Sequence, residues 1–216
     1  MIIPTLECGC RALFQKCTNF RAHSRSTQDH SGRQRPQRVA APDLKKHAAG
    51  PRNTVVPVPE RKIAIVNSEA IREDCQEPLN QASIVDIADV TKPRLIALLP
   101  LPLPPPDAPY KSFCEKGGRF GPHNQNNLLH NPFVQKQGDL VYLTYFNAGL
   151  RIYDIASPTA PREVGYFVPP DPKSRYGTFP QNKLVAQTED VLVGSRGYIY
   201  ITDKNQGLFI LKYTAK

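Results

Sequence analysis

The stretch NAGLRIYDIASPTAPREVGYF, residues 147–167, contains two short β-strand patterns on either side of a proline-marked turn. Its opening Asn-Ala-Gly predicts a tight hairpin, because Asn and Gly accept positive φ angles that strain other residues. Asp154 lies late in the first strand, just ahead of the turn. An Asp beside Ser and Pro commonly accepts hydrogen bonds from nearby backbone N–H groups. We therefore interpret Asp154 as a residue that shapes a turn, not as a catalytic one.

The same pattern recurs elsewhere in the chain. Residues 84–94, IVDIADVTKPR, align without a gap with residues 152–162, IYDIASPTAPR, so that Asp86 corresponds to Asp154. A catalytic carboxylate would need a second titrating group nearby, and no such residue recurs with these two aspartates. The shared residues are instead those expected of a repeated structural unit.

A second match joins residues 141–153, VYLTYFNAGLRIY, to residues 199–211, IYITDKNQGLFIL. Each unit therefore predicts a strand, a hairpin, a second strand, a proline turn and a third strand. An extra strand near residues 191–193 would make four in a unit. In the middle unit the predicted strands are residues 140–146, 150–155 and 163–168.

The composition and the strand sequences both favour a β-protein. The 22 prolines and 13 glycines among 216 residues lie between short apolar runs, and each proline ends a helix or an inner strand. The runs LVYLTYF and GYIYIT are apolar or aromatic at successive positions, which is typical of sheets covered on both faces. Small four-stranded sheets that repeat and stack are the blades of a β-propeller. We predict an all-β fold, a partial β-propeller of about three blades spanning residues 56–216.

These segments resemble a known repeat. GLRIYDIASPTAPREVGYF and IVDIADVTKPR look like the LVIVD repeat of bacterial β-propeller proteins, and VLVGSRGYIYITDKNQGLFILKY resembles the closing unit of those proteins. The resemblance covers about residues 62–213 and implies propeller blades. Members of that family usually have more repeats, and a propeller needs at least about four blades to close. We therefore expect the chain to be a C-terminal piece of a longer propeller, with exposed blade faces that self-associate.

Two of the three units look incomplete in the sequence. The first lacks an innermost strand, and the last ends near residue 214 before a fourth strand. Residues 1–55 look unfit to supply one, because they are polar, aperiodic and basic, so we predict a disordered N-terminal leader. From residue 1 to 52, ten Lys and Arg oppose three acids, which places most of the net charge of +9 in this part.

The remaining features limit the partners and the compartment. The rest of the chain is nearly neutral, with eighteen basic against sixteen acidic residues, so we do not expect it to bind nucleic acid. No apolar run is long enough for a secretory signal or a membrane span, and the compartment stays unassigned. The five cysteines lack the spacing of a zinc site. Cys75 and Cys114 would form a disulfide if their loops meet, which the sequence leaves open.

The densest polar cluster is GGRFGPHNQNNLLHNP, residues 117–132. If residues 122–124 form an innermost strand, their side chains face the central channel, where propellers commonly bind ligands. Arg119, His123 and Asn124 are therefore the candidate ligand-binding residues, and Arg119 and Asn124 would suit an anionic ligand. His123 and His130 are the candidate ligands of a transition metal.

Two functions follow from these residues. The first is a non-enzymatic propeller module that binds an unidentified protein or small molecule. The alternative is a metal-dependent oxidoreductase, because FGPHN is similar to histidine segments of the propellers of the selenium-binding protein and methanethiol oxidase family. Those enzymes use several histidines from several blades, whereas this chain offers His123 and His130 alone outside the leader. That ligand count favours the binding module.

Overall fold

A computed structural model describes residues 7–8, 52–79, 81–127 and 130–214. The predicted leader lies outside the described residues except for its residues 7–8 and 52–55, and its disorder stays a prediction. The described elements are β1 (Glu7–Cys8), β2 (Arg52–Val58), a 3-10 helix (Pro59–Arg61), β3 (Ile63–Ser68), β4 (Ala82–Asp86), β5 (Arg94–Leu98), α1 (Phe113–Lys116), β6 (Leu140–Thr144), β7 (Leu150–Asp154), β8 (Arg162–Phe167), β9 (Thr188–Val193), β10 (Tyr198–Asp203) and β11 (Gly207–Lys212).

The described strands form three antiparallel sheets, as the all-β prediction requires. The first sheet has the order β2-β3-β4-β5, the middle sheet β6-β7-β8, and the last sheet β9-β10-β11-β1. The three strands predicted for the middle unit are those observed, and the additional strand predicted near residues 191–193 is β9. Sheets of this size and order are like the blades of a propeller.

A fourth strand of the middle sheet is visible in its hydrogen bonds. Residues 123–126, named here the inner segment, run antiparallel to β6. His123 N donates to Thr144 O at 2.8 Å, Thr144 N donates to Asn124 O at 2.9 Å, and Asn126 N donates to Tyr142 O at 3.3 Å. The inner segment therefore occupies the same place in its sheet as β2 and β9 do in theirs.

Two expectations about incomplete units are wrong. The first unit does have an innermost strand: β2 pairs with β3 from Arg52 to Val58, although its first four residues were predicted as leader. The last sheet also has a fourth strand, because Glu7 and Cys8 pair with Lys212 and Leu211. The prediction that the N-terminal residues are unfit to pair is therefore wrong for these two positions. The backbone supplies the bonds of an edge strand whatever the local composition.

The middle sheet is buried on both faces. Val141, Leu143 and Tyr153 face the first sheet in one apolar core with Ile65 and Ile84. The alternate side chains of the same strands, Tyr142, Leu150 and Ile152, face the last sheet in a second core with Ile199 and Ile201. This alternation is the period-two pattern of a strand, and it explains why LVYLTYF has no polar face. Full burial of one Ile or Leu side chain contributes about 1.5–3 kcal/mol.

The last sheet differs from that prediction on one face. Ile199 and Ile201 are fully buried, but Tyr198 is 40% exposed on the same strand, and Phe133 nearby is 76% exposed. The prediction that GYIYIT is covered on both faces is therefore wrong for the face away from the middle sheet. Self-association through such a face stays a prediction.

The hairpin between β6 and β7 requires glycine at position 149. Gly149 has φ +75°, and a Cβ built there would lie 2.1 Å from Phe167 O. We expect Gly149→Ala to lower the free energy of unfolding by about 3 kcal/mol or more, because the positive φ and the backbone collision both have to be accommodated. Urea denaturation checks this value.

The equivalent glycine of the last unit provides a matched control. Gly207 has φ +80° with no atom within 4 Å of the added Cβ. Gly207→Ala should therefore cost only the backbone strain, about 1–2 kcal/mol. Equal losses for the two variants would contradict the role assigned to the close approach of Phe167 O.

Candidate functional site

Polar side chains of the three inner strands meet in one chain of hydrogen bonds. Thr54 of β2 donates through Oγ1 to Asn124 Oδ1 at 3.3 Å, and Asn124 Nδ2 donates to Asp190 Oδ1 of β9. Asn124 belongs to the inner segment, so this chain joins the inner edges of all three sheets. The inner edges of propeller blades line the place where ligands commonly bind.

Arg119 lies just before the inner segment and forms ion pairs with two carboxylates. One guanidinium nitrogen lies 3.2 Å from Glu69 Oε1, and the other terminal nitrogen lies 3.2 Å from Glu189 Oε1. Its carbon Cζ also lies 3.9 Å from the centre of the Phe146 ring, which adds a cation–π contact. The side chain of Arg119 is 11% exposed, and those of the two glutamates are about 20% exposed. These contacts fix the guanidinium at the meeting point of the sheets.

His123 is held between the same groups. Its Nδ1 lies 2.7 Å from Glu189 O, its Nε2 lies 3.6 Å from Glu69 Oε1, and its ring centre lies 4.7 Å from that of Phe146. The backbone carbonyl of His123 accepts a hydrogen bond from the buried side chain of Asn67 at 2.6 Å. Residues of the first sheet and of the last sheet therefore position His123, together with Phe146, which follows β6 of the middle sheet.

The described charges of this site are nearly balanced. The carboxylates are Glu69, Glu189 and Asp190, and the permanent cations are Arg119 and Lys204, whose Nζ lies 3.1 Å from Glu189 Oε2. The three carboxylates exceed the two permanent cations by one negative charge. Arg119, His123 and Asn124 are thus brought together, as their predicted common role requires. The inner-edge site, as named here, consists of Glu69, Arg119, His123, Asn124, Phe146, Glu189, Asp190 and Lys204.

His130 is not part of this cluster of contacts. It is exposed and lines a surface groove beside Lys136 and Ser195. Across the described residues, no group of three or more His, Cys, Asp or Glu side chains is arranged to hold a metal ion. The proposed pairing of His123 and His130 on one metal stays a prediction.

Cys75 and Cys114 form a disulfide with their Cα atoms 5.4 Å apart. The bond joins the loop after β3 to helix α1 across 39 positions of sequence. The sequence left this pairing open, because two cysteines carry no information about whether their loops meet.

Asp86 and Asp154 have the turn-shaping contacts that the repeat predicts. Asp154 Oδ1 accepts from Ala156 N at 2.8 Å, and its Oδ2 lies 2.6 Å from the Arg162 guanidinium. Asp86 makes the same pair of contacts with the backbone N–H two residues on and with the Arg eight residues on. The backbone hydrogen bond first, and the Arg second, hold the pKa of each carboxyl below its ordinary value.

Five residues of the inner-edge site were missed from the sequence: Glu69, Phe146, Glu189, Asp190 and Lys204. Only Glu189 and Asp190 had a usable signal. Residues 187–190 open the inner strand of the last unit, as the inner segment does in the middle unit, and both runs are polar. Aligning these two inner strands would have indicated Glu189 and Asp190. Nothing in the spacing of the other three residues links them to Arg119.

Comparison with known proteins identifies the repeated unit. Residues 134–168 and 187–211 match the family model of the LVIVD repeat. The first range contains β6, β7 and β8, including Asp154 and its turn, and the second contains β9, β10 and all of β11 except Lys212. Searches of curated proteins and of solved structures give no match. Among the described residues, no helix has the length and apolar character needed to cross a membrane.

The turn aspartates make a specific pH dependence testable. Because the pKa of Asp154 is lowered in the folded state, its contribution to stability is present above the unfolded pKa, near 4, and is lost as the pH falls through the folded pKa. Thermal denaturation should show Asp154→Asn melting below the wild type by a constant small difference from about pH 8 to 5.

That difference should shrink as the pH falls below about 4 and should disappear once the pH lies below the folded-state pKa. Asp86→Asn should behave in the same way, because its contacts are equivalent. Asp107→Asn, at an exposed loop residue, is the control. A melting difference that persists unchanged to pH 2 would contradict the assigned contacts.

Proposed function

We propose, because two stretches of the chain match the LVIVD repeat and its sheets are blade-like, that the protein is a non-enzymatic binding module. Its ligand contacts Arg119, His123 and Asn124 at the inner-edge site. The observation that supports this function is the convergence of polar side chains from three sheets on one partly exposed place. The aspartates shared by the repeats, by contrast, are engaged in turns. A module whose repeated residues are structural is suited to present a surface.

The charge balance favours a ligand with a cationic group. Arg119 is already paired with two carboxylates, so an anion would have to displace Glu69 or Glu189 from the guanidinium. A primary amine can instead donate hydrogen bonds to carboxylate oxygens that remain partly exposed, and it neutralises the surplus negative charge. An amine-bearing small molecule, or a lysine side chain of a protein, meets these requirements.

The alternative function is a metal-dependent oxidoreductase that uses His123 and His130. The contact in its favour is the 3.6 Å between His123 Nε2 and Glu69 Oε1, because imidazole and carboxylate are both transition-metal ligands. Against it, no cluster of three potential ligands occurs in the described residues, and His130 lines a separate groove. Elemental analysis of the wild type and of His123→Ala separates the two functions.

Binding of a minimal cationic probe tests the leading proposal. We expect calorimetry to detect binding of 1,4-diaminobutane to the wild type. Glu189→Gln should weaken this binding by about tenfold or more, because the neutral amide no longer forms an ion pair with the ammonium group of the diamine. Asp107→Asn, which changes the net charge equally on an exposed loop, is the matched control and should bind normally. Inorganic phosphate should not bind.

Two results would contradict the proposal. One is binding of phosphate that depends on Arg119 without binding of the diamine. The other is a stoichiometric metal in the wild type that is lost in His123→Ala, which would support the oxidoreductase instead.

A further inference from the structure

A loop covers one side of Arg119. Residues 175–182, named here the cap, lie between β8 and β9 and carry Phe179, whose ring centre is 5.5 Å from the Arg119 guanidinium carbon. Phe179 is 36% exposed, so its other side faces solvent. The cap therefore separates part of the inner-edge site from water.

The cap is held to the sheets by side chains of other segments. Among the described residues, no backbone–backbone hydrogen bond connects residues 175–182 to any strand. At its C-terminal end, the Glu73 carboxylate accepts from Gln181 N at 2.6 Å and from Asn182 N at 3.0 Å. The Asp74 carboxylate accepts from Asn182 Nδ2 at 2.7 Å. Two adjacent acids of one loop thus anchor this end.

A different residue holds the other end of the cap. Asn205, in the hairpin between β10 and β11, accepts through Oδ1 from Tyr176 N at 2.8 Å and from Gly177 N at 3.0 Å. Its Nδ2 donates to Phe179 O at 2.9 Å. This anchor belongs to the last sheet, so it does not depend on the loop of Glu73.

The loop of Glu73 and Asp74 is itself fixed by the disulfide. Cys75 follows them directly and is bonded to Cys114. Asp74 and Cys75 have φ angles of 56° and 55°, which strain residues other than glycine. In this conformation of the loop, Asp74 N donates to Gly118 O at 2.8 Å. Without the covalent bond, the loop gains freedom to leave this strained conformation.

We propose that the Cys75–Cys114 disulfide is a redox-responsive modification site whose reduction releases the C-terminal end of the cap, so that Phe179, then held by Asn205 alone, covers Arg119 less tightly. Both cysteines are partly exposed, so a dithiol can reach them. One thiolate of the dithiol attacks a cysteine sulfur and forms a mixed disulfide, while the other cysteine leaves as a thiolate. The second thiol of the dithiol then displaces the first cysteine. The products are two cysteine thiols and an oxidised dithiol, which has supplied two electrons and two protons.

This inference gives the proposed binding site a regulator and rests on that site for its significance. The movement of the cap is nevertheless independent of any ligand. If the diamine does not bind, the proposed function is wrong, but the proposal about the cap is unaffected. If the cap does not respond to reduction of the disulfide, only the proposed regulation is wrong.

Hydrogen exchange of the full chain, followed by mass spectrometry with and without dithiothreitol, tests the proposal. The amides of Gln181 and Asn182 should exchange about tenfold or more faster after reduction, because Glu73 no longer holds them. The amides of β10 should keep their protection, and those of Tyr176 and Gly177 should change less, because Asn205 still binds them.

Variants keep the result interpretable. Glu73→Ala with the disulfide intact should release the same two amides, and Asp107→Asn should not. Unchanged exchange of Gln181 and Asn182 after reduction would overturn the proposal. Loss of protection throughout all three sheets would also overturn it, because the disulfide would then stabilise the whole fold and not the cap in particular.

Discussion

The burial of both faces of the middle sheet is the interaction on which the structure depends. Strand β7 sends Tyr153 towards the first sheet and Ile152 towards the last, and all of this apolar surface is removed from water only while both neighbours are in place. Each sheet is small, so its own hydrogen bonds cannot offset the entropy of ordering the chain. Stacking supplies the missing free energy, and it also brings the inner edges of the sheets together.

The site is a consequence of that stacking. Glu69, Arg119 and Glu189 come from segments far apart in the sequence and meet because their sheets lie face to face. Asp86 and Asp154 have a different role, because they stabilise the turns that connect two neighbouring strands of a sheet. The residues shared by the repeats are structural, whereas the polar residues lie at the inner edge. This difference is the physical basis for assigning the binding function to the inner-edge residues.

The sequence was sufficient for features that depend on near neighbours. The hairpin at Gly149 and the turn at Asp154 were predicted correctly, because their partners lie within a few residues. Strand β2 was missed, since Pro57 and a basic flank hide it, although an inner strand has one unpaired edge where proline is tolerated. In the site, Arg119 was predicted as a ligand-binding residue. Its ion pairs with Glu69 and Glu189 were not predicted, because contacts between different sheets produce no regular spacing in the sequence. Pairing with two acids is also what disfavours the predicted anion.

Native-state hydrogen exchange of the strand amides tests the central claim most directly. If stacking on both faces stabilises the middle sheet, the amides of β6 and β7 should exchange most slowly in the chain, at the rate set by global unfolding. Slower exchange in β10 than in β6 and β7 would contradict the account, because the last sheet, which exposes Tyr198 on one face, would then be more stable than the sheet between its two neighbours.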